Sequence, residues 1–265
     1  MSTFETIKKR RSVRTFDGRA LSDADAERII TFAKTAGNPY GIPIEFSLLS
    51  SEKGDISSAV IVGADTYIVG KVKKTPHAEE AFGFSLEATL LFAESLGVGN
   101  VWLAGTFDRK SASSAIGLEE DEIMPAVSPL GYTAAKMSVR ESVMRKGTKA
   151  DSRLPFEELF FGADLSPLKK DDAGTLAEAF EAVRLAPSAV NRQPWRVVYD
   201  GSAAHFYKAS SKQTGNFDMH KIDMGIAMCH FDAVLTDCAV PHEFSICDPK
   251  TDFPGAEYIA TYILK

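Results

Sequence analysis

Arginine, serine and arginine alternate in the string R-R-S-V-R-T-F at residues 10–16. In extended backbone, alternate residues face one side. Arg10, Ser12 and Arg14 would then present two guanidinium forks and a hydroxyl together, a set suited to a phosphate and an adjacent electron-rich group. A second string, A-P-S-A-V-N-R-Q-P-W at 186–195, gathers Pro, Ser, Asn and Gln in a helix-ending turn before a Trp at a strand start. Ser and Asn side chains placed there can hydrogen-bond the edge of a planar heterocycle. In W-L-A-G-T-F (102–107) a strand ends in Ala-Gly. A glycine at such an end lets a ligand approach the backbone closely, and the amides of Ala104 and Gly105 would donate to it. In S-R-L-P-F-E-E-L (152–159), Arg153 stands before a Leu-Pro pair that pins the backbone, and is a candidate third phosphate contact. Taken singly, these strings fit an ordinary basic terminus, a plain turn, a strand end and a solvated linker arginine at least as well.

The elements that must position these residues are legible in the pattern. The opening M-S-T-F-E-T-I-K-K-R-R reads as a short helix running into something that uses its arginines. From Leu21, L-S-D-A-D-A-E-R-I-I-T-F-A-K has Ser22 as N-cap and Asp23, Asp25 and Glu27 near the positive helix end. Ile29, Ile30, Phe32 and Ala33 form its apolar face, and A-G-N-P-Y-G-I-P (36–43) breaks it. I-E-F-S-L-L follows as a strand, and 57–72 reads as one or two buried strands with a Gly between them. Residues 79–97 form the strongest helix, with Phe82, Leu86, Leu90, Ala93 and Leu96 on one face and Glu80, Glu87 and Glu94 on the opposite one. Gly97 and Gly99 supply its stop. V-W-L-A-G-T-F (101–107) reads as a strand and turn, 118–123 as a short acidic helix start, and 126–132 as another strand. Residues 133–153 carry Lys136, Arg140, Arg145, Lys146, Lys149 and Arg153 without apolar periodicity, which reads as a long basic loop with room for a helical turn. That loop is either a solvated linker or a segment that folds over an anion.

The second half repeats this order of elements. The helix pattern at 168–183 corresponds to that after Leu21, and 186–199 stands where the 36–43 break and its strand stand. M-H-K-I-D-M-G-I-A-M-C-H-F-D-A-V-L (219–235) corresponds to the helix around Phe82, Gly83 and Phe84, and E-Y-I-A-T-Y-I-L-K closes the chain as a strand. Two halves of like topology, 1–160 and 161–265, point to a pseudo-symmetric pair.

Composition narrows the function. The 265 residues are 45% apolar and 25% charged, ordinary for a folded domain or two. Thirty basic against 36 acidic residues leave a net charge of −6, which argues against a nucleic-acid binder. Cys229, Cys238 and Cys247 cannot all pair and form no C-x-x-C, so reduced thiols in a cytoplasm are expected. No apolar run reaches the roughly 18 residues of a membrane span, and no apolar signal core opens the chain. His220 and His230, near Cys229, are ten residues apart, poor spacing for one helical face, and no metal site is expected.

In order along the chain, R-R-S-V-R-x-F, a helix ending in L-G-V-G before a W-x-x-G strand, S-R-L-P after L-G-Y, and A-P-S-x-x-N-x-Q-P-W together resemble the flavin-dependent nitroreductase family. The resemblance covers most of the chain. It implies an α+β nitroreductase-like fold, with central antiparallel sheets flanked by helices in each half. In the usual family the P-S-x-x-N-x-Q-P-W string follows R-R-S-x-R within the same half. Here A-G-N-P-Y-G-I-P holds that place and the string comes near residue 187. The chain is thus similar to a branch in which two half-like copies are fused. The resemblance implies that the first half would keep the phosphate-binding arginines and the second, degenerate half would supply the Ser/Asn arm, giving one flavin site per chain.

The resemblance further implies FMN as cofactor, with Arg10, Arg11, Ser12, Arg14, Leu103, Ala104, Gly105, Arg153, Pro187, Ser188, Asn191 and Gln193 as its contacts. Arg10 and Arg153 would meet the phosphate, and Ser12 the phosphate or ribityl chain. Arg14 would lie near the N1/O2 edge, and the amides of Ala104 and Gly105 would face N5. Ser188 and Asn191, assisted by Gln193, would touch the ring or ribityl chain, with Pro187 and Trp195 shaping the turn. The implied reaction is ping-pong hydride transfer from NAD(P)H through flavin N5 to nitroaromatics, quinones or similar acceptors. Other flavin reactions on the same scaffold, such as dehalogenation or enone reduction, and a flavin-binding or storage role stand as alternatives. The expected partners are a nicotinamide and a small-molecule acceptor, without nucleic acid or membrane, in a monomer or homodimer.

Overall fold

The computed structural model describes residues 1–210, 217–251 and 253–265. A short helix, α1 (Thr3–Lys9), opens the chain as its sequence leads one to expect. The chain divides into two compact units, Lys9–Ala150 and Met1–Lys8 with Asp151–Lys265. The boundary expected at 160/161 falls at 150/151, and α1 contributes most of its length to the C-terminal unit, where the Thr3 amide donates to Asp237 Oδ2 at 2.5 Å.

In the Lys9–Ala150 unit, Ser22 caps α2 (Asp23–Thr35) by accepting the Asp25 amide at 3.1 Å, an interaction worth about 1 kcal/mol. The chain then runs through β1 (Glu45–Ser50), β2 (Thr66–Lys73), α3 (Ala78–Ser95), β3 (Gly99–Asn100), α4 (Arg109–Ala115), β4 (Glu122–Ile123), β5 (Val127–Gly131) and α5 (Val139–Gly147). The antiparallel sheet has the order β1-β2-β5-β3, with β4 paired to β2. α2 packs on α3, and α3 lies against β2 and β3. Tyr67, Val69, Leu103, Met124 and Val127 anchor one buried cluster.

Several elements depart from the sequence pattern. Of the one or two strands expected over 57–72, one forms, β2, and 57–65 hold only a turn, a bend and one bridge. Gly63 takes φ +78°, and a Cβ there would meet the Phe16 carbonyl oxygen at 2.5 Å, so glycine lets the 62–63 turn abut the arginine string. Residues 101–107 do not form a strand: β3 is two residues long, and beyond it only Leu103 bridges to Val127. A helix, α4, follows with Asp108 as its cap, whereas 118–123 is a turn leading into β4 rather than a helix start. The basic stretch contains α5, capped by Ser138, whose Oγ accepts the Glu141 amide at 3.2 Å. Finally, α3 is buried on both faces: Glu80 and Glu87 are fully buried beside Phe82, Leu86 and Leu90.

The other unit builds β6 (Phe160–Gly162), α6 (Ala177–Leu185), β7 (Trp195–Tyr199), β8 (Ala203–Ala209), α7 (Met219–Asp237), β9 (His242–Ser245) and β10 (Ala256–Leu264). Its sheet order is β6-β7-β8-β10-β9, antiparallel except for the parallel β6–β7 pair. The architecture is α+β, with two sheets and their helices. α6 lies against α7, and an aromatic core runs from Phe160 to Phe180, Phe231 and Tyr262 at centroid spacings of 5.0, 5.4 and 5.3 Å. Cys229 is buried, and Cys238 and Cys247 are exposed.

Candidate functional site

The arginine string lies in extended backbone tied down on several sides. The Val13 amide donates to the Asn100 carbonyl at 2.9 Å, the Phe16 amide to Val62 at 2.8 Å, and the Val62 amide to Arg14 at 2.9 Å. Val13 and Phe16 are buried and anchor the string through apolar contact. The Arg10 side chain is only 5% exposed, and its Nε lies 3.5 Å from Glu87 Oε1. Glu87 in turn accepts the indole N–H of Trp102 at 2.6 Å. Even so, Arg10 Nε and Nη2 are buried and donate to no hydrogen-bond acceptor among the described residues, and the same holds for Arg14 Nε. Burial lowers the Arg14 pKa, Glu141 opposes that shift, and Arg145 adds to it.

Helix α5 holds this string from the side. Fully buried Glu141 accepts the Arg14 amide at 3.2 Å and Arg11 Nη1 at 3.1 Å. Arg145 Nη1 reaches the Ser12 carbonyl at 3.3 Å, and Thr15 Oγ1 donates to Ser138 Oγ at 3.0 Å. The sequence reading missed Glu87, Glu141 and Arg145 as positioning groups. Ser138-Val-Arg-Glu141 is a capping-box pattern, and that signal marks α5 and its glutamate.

At the turn after β3, Leu103 exchanges both backbone bonds with Val127 at 2.9 Å, so its own amide is engaged. The amides of Ala104 and Gly105 have no acceptor among the described residues, and a Cβ at Gly105 would meet nothing within 4 Å. The turn is fixed by Arg109, which donates to the carbonyls of Ala104 at 2.6 Å, Pro125 at 3.0 Å and Met124. Its guanidinium also lies 4.8 Å from the Phe107 ring centroid. Arg109 too escaped the sequence reading, because an isolated arginine opening a short helix has no pattern.

In the other unit, residues 186–194 join α6 to β7. Ala186 is extended ahead of Pro187, as a residue before proline must be. Val190, Asn191 and Gln193 then take φ of 44°, 58° and 51°. Asparagine tolerates that region, but a β-branched valine there is a true outlier. The Ser188 hydroxyl accepts the Gln193 amide at 2.9 Å, and the Asn191 amide donates to the Ser188 carbonyl at 3.0 Å. Gln193, nearly buried, accepts the Leu154 amide at 2.9 Å and donates to the Asn191 carbonyl at 3.2 Å. Arg153 belongs to this unit: it reaches Asn191 Oδ1 at 3.5 Å and the Leu185 carbonyl at 3.1 Å. Trp195 is fully buried at the start of β7. From α7, Asp223 Oδ1 accepts the Ala189 amide at 3.0 Å.

His230 is buried with Nδ1 2.9 Å from the Ala182 carbonyl. Among the described residues, no group of three or more His, Cys, Asp or Glu could hold a metal, and no helix is long and apolar enough to cross a membrane.

Three comparisons bear on this arrangement. A family model described as "Putative TM nitroreductase" matches residues 2–234. The chain is 29% identical over 150 residues to the "Putative NADH dehydrogenase/NAD(P)H nitroreductase" of Archaeoglobus fulgidus, a match spanning 48% of this chain and 82% of that protein. Among solved structures it resembles a "putative nitroreductase" of Thermotoga maritima, with 21% identity and a TM-score of 0.65 over 100% of this chain and 93% of that chain. A nitroreductase family protein of Clostridium difficile matches with 20% identity and a TM-score of 0.48 over 60% of this chain and 96% of that chain.

Proposed function

The chain belongs to this nitroreductase family, and from that premise we propose that it is an FMN-dependent oxidoreductase that uses NADH or NADPH to reduce electron-poor acceptors such as nitroaromatics and quinones. The observation that carries the reading is at Arg10 and Arg14: Arg10 Nη2 and Arg14 Nε are buried with no hydrogen-bond partner among the described residues, and Arg10 Nε meets Glu87 only as an ion pair at 3.5 Å. Buried donors without partners are rare in folded proteins, and an anionic ligand would satisfy them. The residues present therefore fit a phosphorylated, electron-rich cofactor. Bound FMN supplies hydride acceptance and release at N5, in two half-reactions on one face.

The chain's own residues bind and orient. Arg10 and Ser12 would hold the phosphate end, with Arg11 fixed by Glu141. Arg14 would sit at the N1/O2 edge, where a cation favours the negative charge of the reduced ring. Leu103 sets the backbone from which the amides of Ala104 and Gly105 would donate near N5. Ser188, Asn191 and Gln193 would contact the ring or ribityl chain, with Pro187 fixing the turn. Arg153 would add a phosphate contact while bracing Asn191. The name of the Archaeoglobus fulgidus relative supports a nicotinamide donor.

The test is direct. Purified protein is reconstituted with FMN, its visible spectrum and flavin stoichiometry are recorded, and oxidation of NADH and NADPH is followed with a quinone and with a nitroaromatic. One flavin per chain and turnover with at least one donor are expected. Material that takes up no FMN defeats the proposal, and bound flavin without turnover reduces it to a flavin-binding role.

A further inference from the structure

Asp223 stands out among the buried charged groups. It is 1% exposed in the middle of α7, and only one of its oxygens is used: Oδ1 accepts the Ala189 amide, while Oδ2 has no partner among the described residues. A buried carboxyl with a single hydrogen bond costs stability compared with an apolar side chain of similar size. Packing therefore does not account for an acid here, and its one contact does. Ala189 directly precedes the left-handed Val190 and Asn191, and Val190 is 67% exposed, so no packing on its side chain offsets the strain. Bonds of this loop run within it and to the 152–154 segment, whereas Asp223 ties it to a nineteen-residue helix.

We propose that Asp223 is a positioning residue that holds the 188–193 loop in its left-handed conformation for ligand binding, through its single bond to the Ala189 amide. The inference rests on the flavin reading of Ser188, Asn191 and Gln193 given above. Burial, with the Ala189 N–H opposing and the Asp218 carboxylate at the head of α7 adding, pushes the Asp223 carboxyl up to about 8. Asp218 is itself paired with Lys208 of β8 at 2.5 Å, and Lys208 with Glu257 of β10 at 3.0 Å. On α6, Arg184 and Glu181 are paired with each other at 2.6 Å. The pKa of His220 is lowered by burial, with Asp218 opposing and Lys208 and the loop's Arg192 adding. Asparagine keeps the Oδ1 acceptor and the volume and sets an amide nitrogen where the second carboxyl oxygen stands.

The experiment compares Asp223→Ala and Asp223→Asn with the parent by hydrogen exchange at 186–193 and by FMN titration, both at pH 7. Loss of the bond should speed exchange at these amides and weaken FMN about tenfold in the alanine variant, while asparagine stays within about threefold on both. The thermal midpoint of the alanine variant should not track the loss in affinity. Unchanged exchange in Asp223→Ala, or an Asp223→Asn variant as impaired as the alanine, overturns the proposal. Faster exchange with unchanged FMN affinity overturns the link to ligand binding. A parent that binds no FMN defeats the flavin reading instead, and the exchange comparison alone then decides whether Asp223 holds the loop.

Discussion

The chain passes from α2 to β1 through residues 36–43 and from α6 to β7 through residues 186–194, and the two passages place their left-handed backbone differently. In the first, the positive φ falls on Gly41, at 66°, where it costs little. Asn38 then closes the loop on itself, donating to the Ile42 carbonyl at 2.7 Å, accepting the Ile42 amide at 3.3 Å and touching Ser85 of α3 at 3.1 Å. In the second, positive φ falls on Val190, Asn191 and Gln193, none of them glycine. Such positions cost on the order of 1–3 kcal/mol each and persist only where surrounding bonds over-determine them. The relaxed loop connects a helix to a strand. The strained loop does so while holding Ser188 and Asn191 in one arrangement, and it recruits Arg153, Leu154 and Asp223 to that end.

The sharpest way to break the functional side of this contrast lies outside both loops. Arg10→Ala combined with Arg14→Ala should weaken FMN by at least about a hundredfold, since each charge-assisted contact is worth about 1.5–3 kcal/mol. Gel filtration of the loaded protein, with thermal melting as a control on folding, reads the loss. Retained flavin would remove these arginines from the binding role. Next in size is the matched pair Asn191→Ala and Asn38→Ala. The first should weaken FMN about tenfold; the second should lower stability by about 1–2 kcal/mol and leave FMN affinity alone. Equal effects on affinity would erase the distinction between the loops. The smallest effect is conformational: Val190→Gly should stabilise by up to about 1 kcal/mol by relieving φ strain, and Gly41→Ala should destabilise by a similar amount. Denaturant titration distinguishes the signs, and a loss of stability in Val190→Gly would show that the valine is not strained.

The readable parts of the fold are those whose signal is local and repetitive. α2 announces itself through Ser22 and its acidic first turn, α3 and α7 through length and apolar content, and β1, β5 and β10 through apolar runs between breakers. α5 was illegible as a helix because its apolar residues, Val139 and Val143, are exposed, leaving only the capping pattern as a sign. The heptad spacing of the α3 glutamates gives them a common face but does not say what covers it. Glu87 is covered, and Trp102 and Arg10 occupy it. Of the candidate site, the strings at 10–14 and 187–193 were visible as residue types. The groups that support them and the 103–105 turn were not, since Glu141, Arg109 and Asp223 act over 127, 5 and 34 positions of sequence through side-chain bonds that leave no periodic trace.

The grip of Arg109 on the Ala104 oxygen reaches further than the bond itself. A peptide unit is planar and trans, so its N–H and its C=O point in opposite directions. The carbonyl that Arg109 seizes shares its plane with the Gly105 nitrogen. By pulling the oxygen one way, a cation turns the neighbouring N–H the other way and locks its bearing. One charged side chain thus steers a neutral donor with which it forms no bond of its own.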